Sequence, residues 1–505
     1  MATGSPSRTT SLIGALLLAA AAVAVFASVR TFDSLLYDDD KYVFDNPVVR
    51  EGLTAHGAAW AVGFREGTWQ PLTWVSHMAD VSAFGLAPGP MHLHNLVLHL
   101  LVGLLVWRVL ARATGRPLAA FAAALLFLLH PLQAQSVAWI AERKGLLAAL
   151  LGLLALDGWT DWARGASRGG LVRAHLFFAL SLAAKPILLP LPVVLLAWDR
   201  WPYGRPTAWR DKLGLLALSV AGGVTAVLAQ RSAGALRSLE GAGFLLRVES
   251  AVTAWGHTLR RFVAPYDLAG FYPFRDDVSA MAAAGWAALL VAGTVLAWRL
   301  RFRRPVLLAG WTWWLLLQAP TVGLLQFGAQ AEADRFSYVP LAGLLVIVVF
   351  GMDWGALRAR SGKAVPVVLA VAAAVVLGLL AHRAAQPWRD TVTLFEHSIA
   401  RAGDSAVARQ NLSIAWTRKG NVAAARRHSD RAVALAPREP LVLFQQADLR
   451  FAVRDFAGAA EFYRRGLTFA PNHAPAWAQL AASLERTGDR RGAQQAMQRA
   501  RELSR

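Results

Sequence analysis

Cysteine is absent from this 505-residue chain, and charged residues make up only 17% of it. Without cysteine, neither a disulfide framework nor thiolate chemistry is available. Apolar residues make up 56%, and the mean hydropathy is +0.39. Such a composition excludes an ordinary soluble enzyme and predicts an integral membrane protein.

Eleven apolar stretches are candidates to cross a hydrocarbon core of ~30 Å. We therefore predict an all-α fold, a polytopic membrane bundle of about eleven spans. Lys185 and Pro186 either form a tight turn or kink one long helix. A removable signal peptide is the alternative interpretation of the first stretch. The stretches lie near residues 11–29, 95–111, 117–131, 145–159, 171–184, 186–198, 213–230, 280–298, 305–319, 338–352 and 365–381.

The net charge of +20 is concentrated in one of the two sets of loops that alternating spans define. By the positive-inside rule this basic set and the N-terminus are cytoplasmic, and the chain after 381 is extracytoplasmic. We expect the inner membrane of a bacterium, contact with anionic lipid, and no nucleic-acid partner. The basic loops are 108–116, 161–173, 199–212, 299–304 and 353–363.

A period of 34 residues begins after the hydropathy falls near residue 382. Small residues, turn residues and helix-ending prolines recur at this interval, which is typical of tetratricopeptide repeats. We predict a membrane domain over 1–381, a linker or helix over 382–403, and about three repeats over 404–505. The repeats either engage an acceptor or partner protein or only cap the fold. The recurring residues are Ala425, Ala459 and Ala493; Gly420, Arg454 and Gly488; and Pro437 and Pro471.

Three loops predicted on the outer face carry ionisable residues, within 30–94, 130–145 and 326–340. Asp38 and Asp39, in "YDDDKYVFDNP", are candidate general bases. Cations at the same depth can neutralise a lipid phosphate. These charges fit transfer of a sugar from a lipid-phosphate carrier to a hydroxyl. The candidate cations are Arg143, Lys144, Lys185 and Arg335.

His92, Asn95 and His99 have the spacing of one polar stripe on one helix face. Polar side chains entering hydrocarbon normally face a bundle interior or an aqueous cavity. The stripe is either a hydrogen-bonded structural element or, together with His77 and His94, part of a metal site.

Seven segments of the chain carry a resemblance to a known family. They are "YDDDKYVFDNPVVREGLT", "WQPLTWVSHM", "HLHNLVLHL", "LFLLHPLQAQSVAWIAERKGLL", "LAAKPILLPLPVVLLAWDRWP", "QAPTVGLLQFGAQAEADRFSYVPLAGL" and "QPWRDTVTLFEHS". Together they resemble the transmembrane-and-tetratricopeptide-repeat (TMTC) proteins and their bacterial relatives. The resemblance implies a C-type glycosyltransferase (GT-C) fold and a polyprenyl-phosphate-linked sugar donor. It further implies O-glycosylation of protein Ser or Thr, with mannose in the animal members.

The same resemblance assigns expected roles to residues of the three loops. Asp38 or Asp39 is the expected base, and the triple Asp leaves the register open. The "HP" loop is expected to shape the donor phosphate site. This expectation falls on His130, Arg143 and Lys144, with Arg335 as a further phosphate ligand, and Asp334 also shapes the site.

Two residues depart from the pattern of these relatives. The relatives resemble "HPxxxE" in the second loop, and Gln135 stands at the position of that Glu. Gly145 stands where the relatives often have Asp. Gln135 removes a charge that would help to bind a metal, and Glu142 compensates only with a different geometry. A divalent cation is therefore an optional cofactor and no cofactor is certain, because Lys and Arg can stabilise the same phosphate charge.

Two other functions remain as alternatives to a glycosyltransferase. A non-catalytic membrane scaffold with interaction repeats is compatible with the loss of charge at Gln135. A transporter of lipid-linked glycans would place ionisable residues near mid-membrane, where these spans have almost none. The sequence leaves open the sugar, the acceptor and the oligomeric state.

Overall fold

The computed structural model describes residues 8–232, 243–274, 278–323, 330–352 and 365–504. Within these ranges the chain is almost entirely helical, as predicted, and it forms two compact units, Met1–Arg389 and Asp390–Arg505. The predicted basic loop at 353–363 lies outside the described residues, as does the 326–329 part of the third outer loop.

The first unit is built from helices joined by short turns. Gly103 in the fourth helix lets that helix approach the fifth closely, since a Cβ there would lie 2.4 Å from the Leu128 side chain. The helices are α1 (Arg8–Phe26), α2 (Ala55–Ala61), α3 (Pro71–Phe84), α4 (Pro88–Thr114), α5 (Pro117–Leu129), α6 (Ala134–Ala138), α7 (Arg143–Ala163), α8 (Arg168–Ala184), α9 (Leu191–Arg200), α10 (Leu213–Ser232), α11 (Phe244–Val263), α12 (Ala280–Arg299), α13 (Pro305–Gln318), α14 (Leu341–Gly351) and α15 (Val365–Ala385).

Six helical segments in the described part of the chain are long and apolar enough to cross a membrane. A bent pair, Pro117–Leu129 with Pro131–Ala138, makes seven if it counts as one span. The chain is therefore an integral membrane protein, but the predicted eleven spans are not confirmed. The six segments are Thr9–Thr31, Pro88–Thr114, Ile140–Ala163, Trp209–Ser232, Ala280–Arg299 and Val367–Arg389.

Three of the remaining predicted spans form short helices. α9 has 10 residues, α14 has 11 and α13 has 14. At 1.5 Å per residue these helices are about 15 to 21 Å long, less than the ~30 Å of a hydrocarbon core. α8 ends at Ala184 and α9 begins at Leu191, so Lys185 lies in a turn between two helices.

The predicted outer loops combine short helices with irregular turns. The first contains a π-type turn, Asp40–Phe44, before α2 and α3. The second contains short 3-10 turns at Pro131–Gln133 and Ile140–Glu142 on either side of α6. In the third, β2 (Gln330–Glu332) pairs antiparallel with β1 (Tyr272–Pro273), and a 3-10 turn follows at Asp334–Ser337.

The second unit is a series of helical hairpins. Each hairpin turns at a residue with positive φ: Gly420 (75°), Arg454 (64°) and Gly488 (89°). The residue after each turn caps the next helix by accepting a backbone N–H. The helices are α16 (Thr391–Ala402), α17 (Ala406–Arg418), α18 (Val422–Leu435), α19 (Pro440–Ala452), α20 (Phe456–Phe469), α21 (Ala474–Thr487) and α22 (Arg490–Leu503).

Candidate functional site

Asp39 is fully buried and ties the first loop to the second. One carboxylate oxygen accepts the backbone N–H of Leu35 at 2.9 Å, and the other accepts that of Ala141 at 2.8 Å. Burial raises the pKa of Asp39 to about 8, although both hydrogen bonds oppose the rise. Both carboxylate oxygens are therefore occupied by backbone N–H groups, so Asp39 has a structural role.

Asp38 has a different environment from its neighbour. It is partly exposed, and its backbone has a φ of 73°, a left-handed conformation that non-glycine residues rarely adopt. Among the residues that the structure describes, none donates a hydrogen bond to its carboxylate. It interacts electrostatically with Lys144. The two candidate bases thus differ in their environment. The Asp38 carboxylate is partly exposed, whereas the Asp39 carboxylate is buried and both of its oxygens accept backbone N–H groups.

Glu142 joins two of the predicted phosphate-binding cations. Its Oε1 accepts a hydrogen bond from Lys185 Nζ at 2.5 Å, and its Oε2 lies 3.6 Å from Arg335 Nε. Glu142 is 1% exposed, whereas the side chains of Lys185 and Arg335 are 17% and 12% exposed. The two cations are therefore held side by side with a narrow opening to solvent.

The charges of this group are coupled through Lys144. Lys144 interacts with both Asp38 and Glu142, and its ammonium lies 4.2 Å from the centre of the Tyr42 ring. Burial lowers the pKa of Lys185 to about 8, while Glu142 opposes that fall. Carboxylates and cations of different loops thus form one electrostatic cluster.

Lys185 and Arg335 line a small cleft. The other lining residues are almost all apolar. A cleft with two cations and otherwise apolar walls suits a ligand with an anionic group and a hydrocarbon chain. The apolar residues are Ile187, Leu188, Leu317, Phe336, Val339 and Pro340.

Gln135 fixes the backbone at Arg335. Its Oε1 accepts the Arg335 backbone N–H at 2.9 Å, and Gln135 is 2% exposed. The Arg335 guanidinium lies 5.0 Å from the centre of the Trp139 ring and donates to Gln330 Oε1 at 2.8 Å. The amide at 135 therefore positions a cleft cation without adding a charge.

Arg143 is not at the cleft, contrary to the prediction that it binds a donor phosphate. It is 0% exposed, and its guanidinium donates to Asn95 Oδ1 at 2.9 Å, to the Met91 carbonyl at 2.8 Å and to Asp80. A buried arginine needs this pairing because an uncompensated charge is costly. Arg143 therefore anchors α7 to α3 and α4.

The predicted stripe on α4 faces the protein interior. His92, Asn95 and His99 are each 0% exposed. Asn95 Nδ2 donates to the Trp139 carbonyl at 2.8 Å, and His99 contacts Tyr338 Oη at 2.7 Å. His92 Nε2 lies 3.3 Å from the Asp33 carbonyl oxygen. The stripe connects α4 to the outer loops by hydrogen bonds.

His130 is held by contacts with its own loop and with α11. Its Nδ1 accepts the backbone N–H of Leu132 at 3.2 Å, and its Nε2 lies 3.1 Å from the Phe262 carbonyl. The ring stacks on the Phe262 ring at 5.5 Å. With one nitrogen accepting and the other donating, His130 is a helix cap.

Asp334 belongs to a second polar group beside β1 and β2. Both of its oxygens accept from Tyr272 Oη at 3.1 Å, and Arg261 lies 3.8 Å away. Burial raises the pKa of Asp334 to about 7, and Arg261 opposes the rise. Asp334 thus shapes the start of the turn that carries Arg335.

Several residues of the site were not predicted from the sequence. Asp80 neutralises Arg143 and also contacts His94 Nδ1 at 2.6 Å. Tyr37 stacks on Trp139 with centroids 4.9 Å apart, and its carbonyl accepts the Trp139 indole N–H at 2.9 Å. Asp80 is the one acid in the apolar α3 helix. This feature of the sequence could have predicted a cationic partner for it, because buried acids need one.

Gly145 leaves room for the Glu142 carboxylate. A Cβ at this position would lie 2.4 Å from Glu142 Oε1, the oxygen that binds Lys185. The described residues contain no group of three or more His, Asp or Glu side chains that could hold a metal ion.

The fold and the site define an integral membrane protein with helical repeats and a cleft with a cationic wall. No family model matches the chain. Part of it is similar to the protein O-mannosyl-transferase TMTC1 of Mus musculus, with 34% identity over 131 residues, and to that of Homo sapiens, with 33%. The match covers 24% of this chain and 14% or 15% of those relatives, so the chain spans about a seventh of their length.

A solved structure described as the APC/C hetero-tetramer Cut9-Hcn1 aligns with 86% of this chain and 80% of its own. The sequences are 15% identical and the TM-score is 0.22.

Proposed function

We propose that the chain is a membrane glycosyltransferase of the GT-C type. It transfers a sugar from a polyprenyl-phosphate-linked donor to an acceptor hydroxyl at the extracytoplasmic face. The observation that carries the proposal is the cleft in which Lys185 and Arg335 form a cationic wall among apolar residues. The partial similarity to a protein O-mannosyl-transferase supports the same chemistry.

A polyprenyl phosphate matches this cleft in charge and in polarity. Its phosphate accepts hydrogen bonds from Lys185 Nζ and the Arg335 guanidinium, and its first isoprene units contact the apolar wall. Interactions with ionised donors are strong where water is largely excluded. Glu142 keeps the two cations in place before the donor binds, because it contacts both.

The reaction needs a base on the acceptor and charge stabilisation on the leaving group. The Asp38 carboxylate takes the proton of the acceptor hydroxyl as the hydroxyl oxygen bonds to the anomeric carbon. The bond from that carbon to the phosphate oxygen breaks, and the electron pair leaves with the polyprenyl phosphate. Lys185 and Arg335 stabilise this developing charge. Attack opposite the leaving group inverts the anomeric centre.

The acceptor is proposed to be a protein Ser or Thr hydroxyl, and the sugar to be mannose. The protein acceptor and the sugar are supported by the description of the matched relatives as protein O-mannosyl-transferases. The helical hairpins of α17 to α22 are proposed to bind the acceptor protein, because arrays of this kind commonly hold extended peptides.

The experiment is glycoproteomics of the membrane and secreted fractions of three strains: wild type, a deletion strain, and the deletion strain expressing Asp38→Asn. A set of O-linked sugars present in wild type and missing in both others is the expected result. A scaffold tolerates the substitution, so glycans restored by Asp38→Asn would contradict the proposal. Unchanged glycans in the deletion strain would contradict it as well.

A further inference from the structure

A second groove is lined mainly by residues of two of the predicted basic loops, 199–212 and 299–304. It is formed by the segment after α9 and the turn between α12 and α13, and it encloses about 990 Å³ including open solvent. Three arginines contribute to its lining. The lining residues are Arg200, Gly204, Arg205, Pro206, Thr207, Arg301, Phe302 and Pro305.

Two of these arginines have no carboxylate partner among the residues that the structure describes. The guanidinium carbons of Arg200 and Arg301 lie 4.7 Å and 4.4 Å from the centre of the Phe302 ring. Arg301 also donates to the Trp298 carbonyl at 2.8 Å. Both guanidinium groups therefore pack on the same ring at the groove, and this concentration of positive charge favours binding of an anion.

The third arginine is already neutralised. Arg205 donates to Asp199 Oδ1 at 2.8 Å and to Asp211 Oδ2 at 3.0 Å. It also lies 4.5 Å from the centre of the Trp162 ring. Arg205 thus supports one wall of the groove, and the free positive charge comes from Arg200 and Arg301.

The groove is at the boundary of two candidate membrane spans. One span ends at Arg299, two residues before Arg301, and another begins at Trp209, two residues after Thr207. Trp298 and Trp209 are 57% and 60% exposed. Exposed tryptophans at span ends are typical of the headgroup level of a bilayer.

We propose that this groove binds the headgroup of an anionic phospholipid. The phosphate is held by Arg200 and Arg301, and the acyl chains extend along the apolar surfaces of the adjoining spans. Leu213 and Leu296, which are 48% and 56% exposed, belong to those surfaces. This inference is independent of the glycosyltransferase proposal, because the groove shares no residue with the Lys185 cleft.

The test measures lipid retained by the full-length chain in native mass spectrometry. Purified protein in detergent is mixed with phosphatidylglycerol or with phosphatidylcholine at equal concentrations. Wild type should retain phosphatidylglycerol preferentially. The double variant Arg200→Gln/Arg301→Gln should lose about 30-fold in affinity for it, since each arginine near an anionic headgroup contributes ~1 kcal/mol.

The matched control is Arg299→Gln/Arg303→Gln. Both residues are exposed at the same end of the molecule and do not line the groove, so the change in net charge is identical. This control should bind as wild type does. The single variants Arg200→Gln and Arg301→Gln should each show about half of the double variant's loss in binding free energy. These single variants test the site if the double variant fails to fold.

Three results would overturn the proposal. Equal retention of the two lipids would remove the preference for an anionic headgroup. Equal losses in the groove variant and the control would assign binding to diffuse surface charge. Displacement of the lipid by glycerol 3-phosphate at a similar concentration would assign the groove to a soluble phosphate compound instead.

Discussion

The carboxylate of Glu142 lies 2.5 Å from the ammonium of Lys185, in a setting where Glu142 is 1% exposed. A carboxylate so deeply buried is stable only with a cationic partner. Here it has two, because Arg335 lies 3.6 Å from its other oxygen. The charge of Glu142 therefore serves to position two cations. The catalytic base must be another residue.

Asp38→Asn should abolish sugar transfer without destabilising the protein. The amide cannot take a proton, and loss of a general base lowers rates by about 10²- to 10⁴-fold. Because Asp38 is partly exposed and no described residue donates to its carboxylate, the melting temperature should stay unchanged. Turnover of purified protein and thermal unfolding in the same detergent check both parts. A large fall in melting temperature would contradict this assignment.

Asp39→Asn should destabilise the protein. Its amide nitrogen would face the backbone N–H of either Leu35 or Ala141, leaving one buried donor unpaired. Such a loss costs about 1–3 kcal/mol. Thermal unfolding measures the effect, and the exposed Glu51→Gln serves as the control from the same loop, with a change expected to stay within about 0.5 kcal/mol. Equal stabilities of the two variants would contradict the structural role.

The same residue makes stability depend on pH. Burial raises the pKa of Asp39 from 3.8 to about 8, so between these values the folded chain retains a proton that the unfolded chain has released. Its contribution to stability is therefore full below about pH 4 and is lost as the pH rises toward 8. Unfolding of wild type and Asp39→Asn at pH 5 and pH 8 isolates this contribution, which the variant lacks.

Donor binding should weaken as the pH rises through about 8. Burial lowers the pKa of Lys185 to about 8, so the ammonium that binds the phosphate becomes neutral above that value. The KM for the donor should therefore increase between pH 8 and pH 9.5 in wild type. Lys185→Arg keeps its charge throughout this range and should remove the increase. An identical pH profile for this variant would show that Lys185 does not carry the effect.

Gly145→Ala should impair the cleft more than the fold. The new Cβ would lie 2.4 Å from Glu142 Oε1 and displace the carboxylate from Lys185. Misplacing a binding group by about 1 Å can cost up to about 10²-fold, so the KM for the donor should increase by at least tenfold. Gly158→Ala in the same helix is the control, because its Cβ would lie 2.8 Å from the Gly170 carbonyl instead. That control should lower stability and leave the KM unchanged.

The repeats were predictable because their chemistry is local. Gly420, Arg454 and Gly488 were predicted as turn residues from their spacing of 34, and all three have positive φ. The residue after each of them caps the following helix with its own side chain. A turn and a cap involve neighbours in sequence, so one chain is enough to locate them.

The membrane helices were predictable in position and less so in length. Each apolar stretch of the first unit is helical, yet α9 and α14 are too short to span a bilayer alone. Hydropathy registers where apolar residues are dense. The end of a helix depends instead on prolines and on contacts between loops that hydropathy does not register.

The site was predictable in composition but not in arrangement. The cations Lys185 and Arg335 meet at one cleft, whereas Arg143 pairs with Asp80, a residue 63 positions away along the chain. Pairings of this kind depend on how helices pack. The choice between Asp38 and Asp39 likewise depends on the conformation of one turn, which the triple Asp leaves open.

The most direct test of the central claim is turnover of a polyprenyl-phosphate sugar by the purified chain in lipid nanodiscs, measured as release of polyprenyl phosphate. Wild type and the exposed double control Lys41→Gln/Arg50→Gln should release it from the mannose donor or from another donor of a hexose panel. Lys185→Gln/Arg335→Gln should lose at least about 10²-fold in kcat/KM. Equal rates in the two double variants, or no release by wild type from any donor of the panel, would contradict the account.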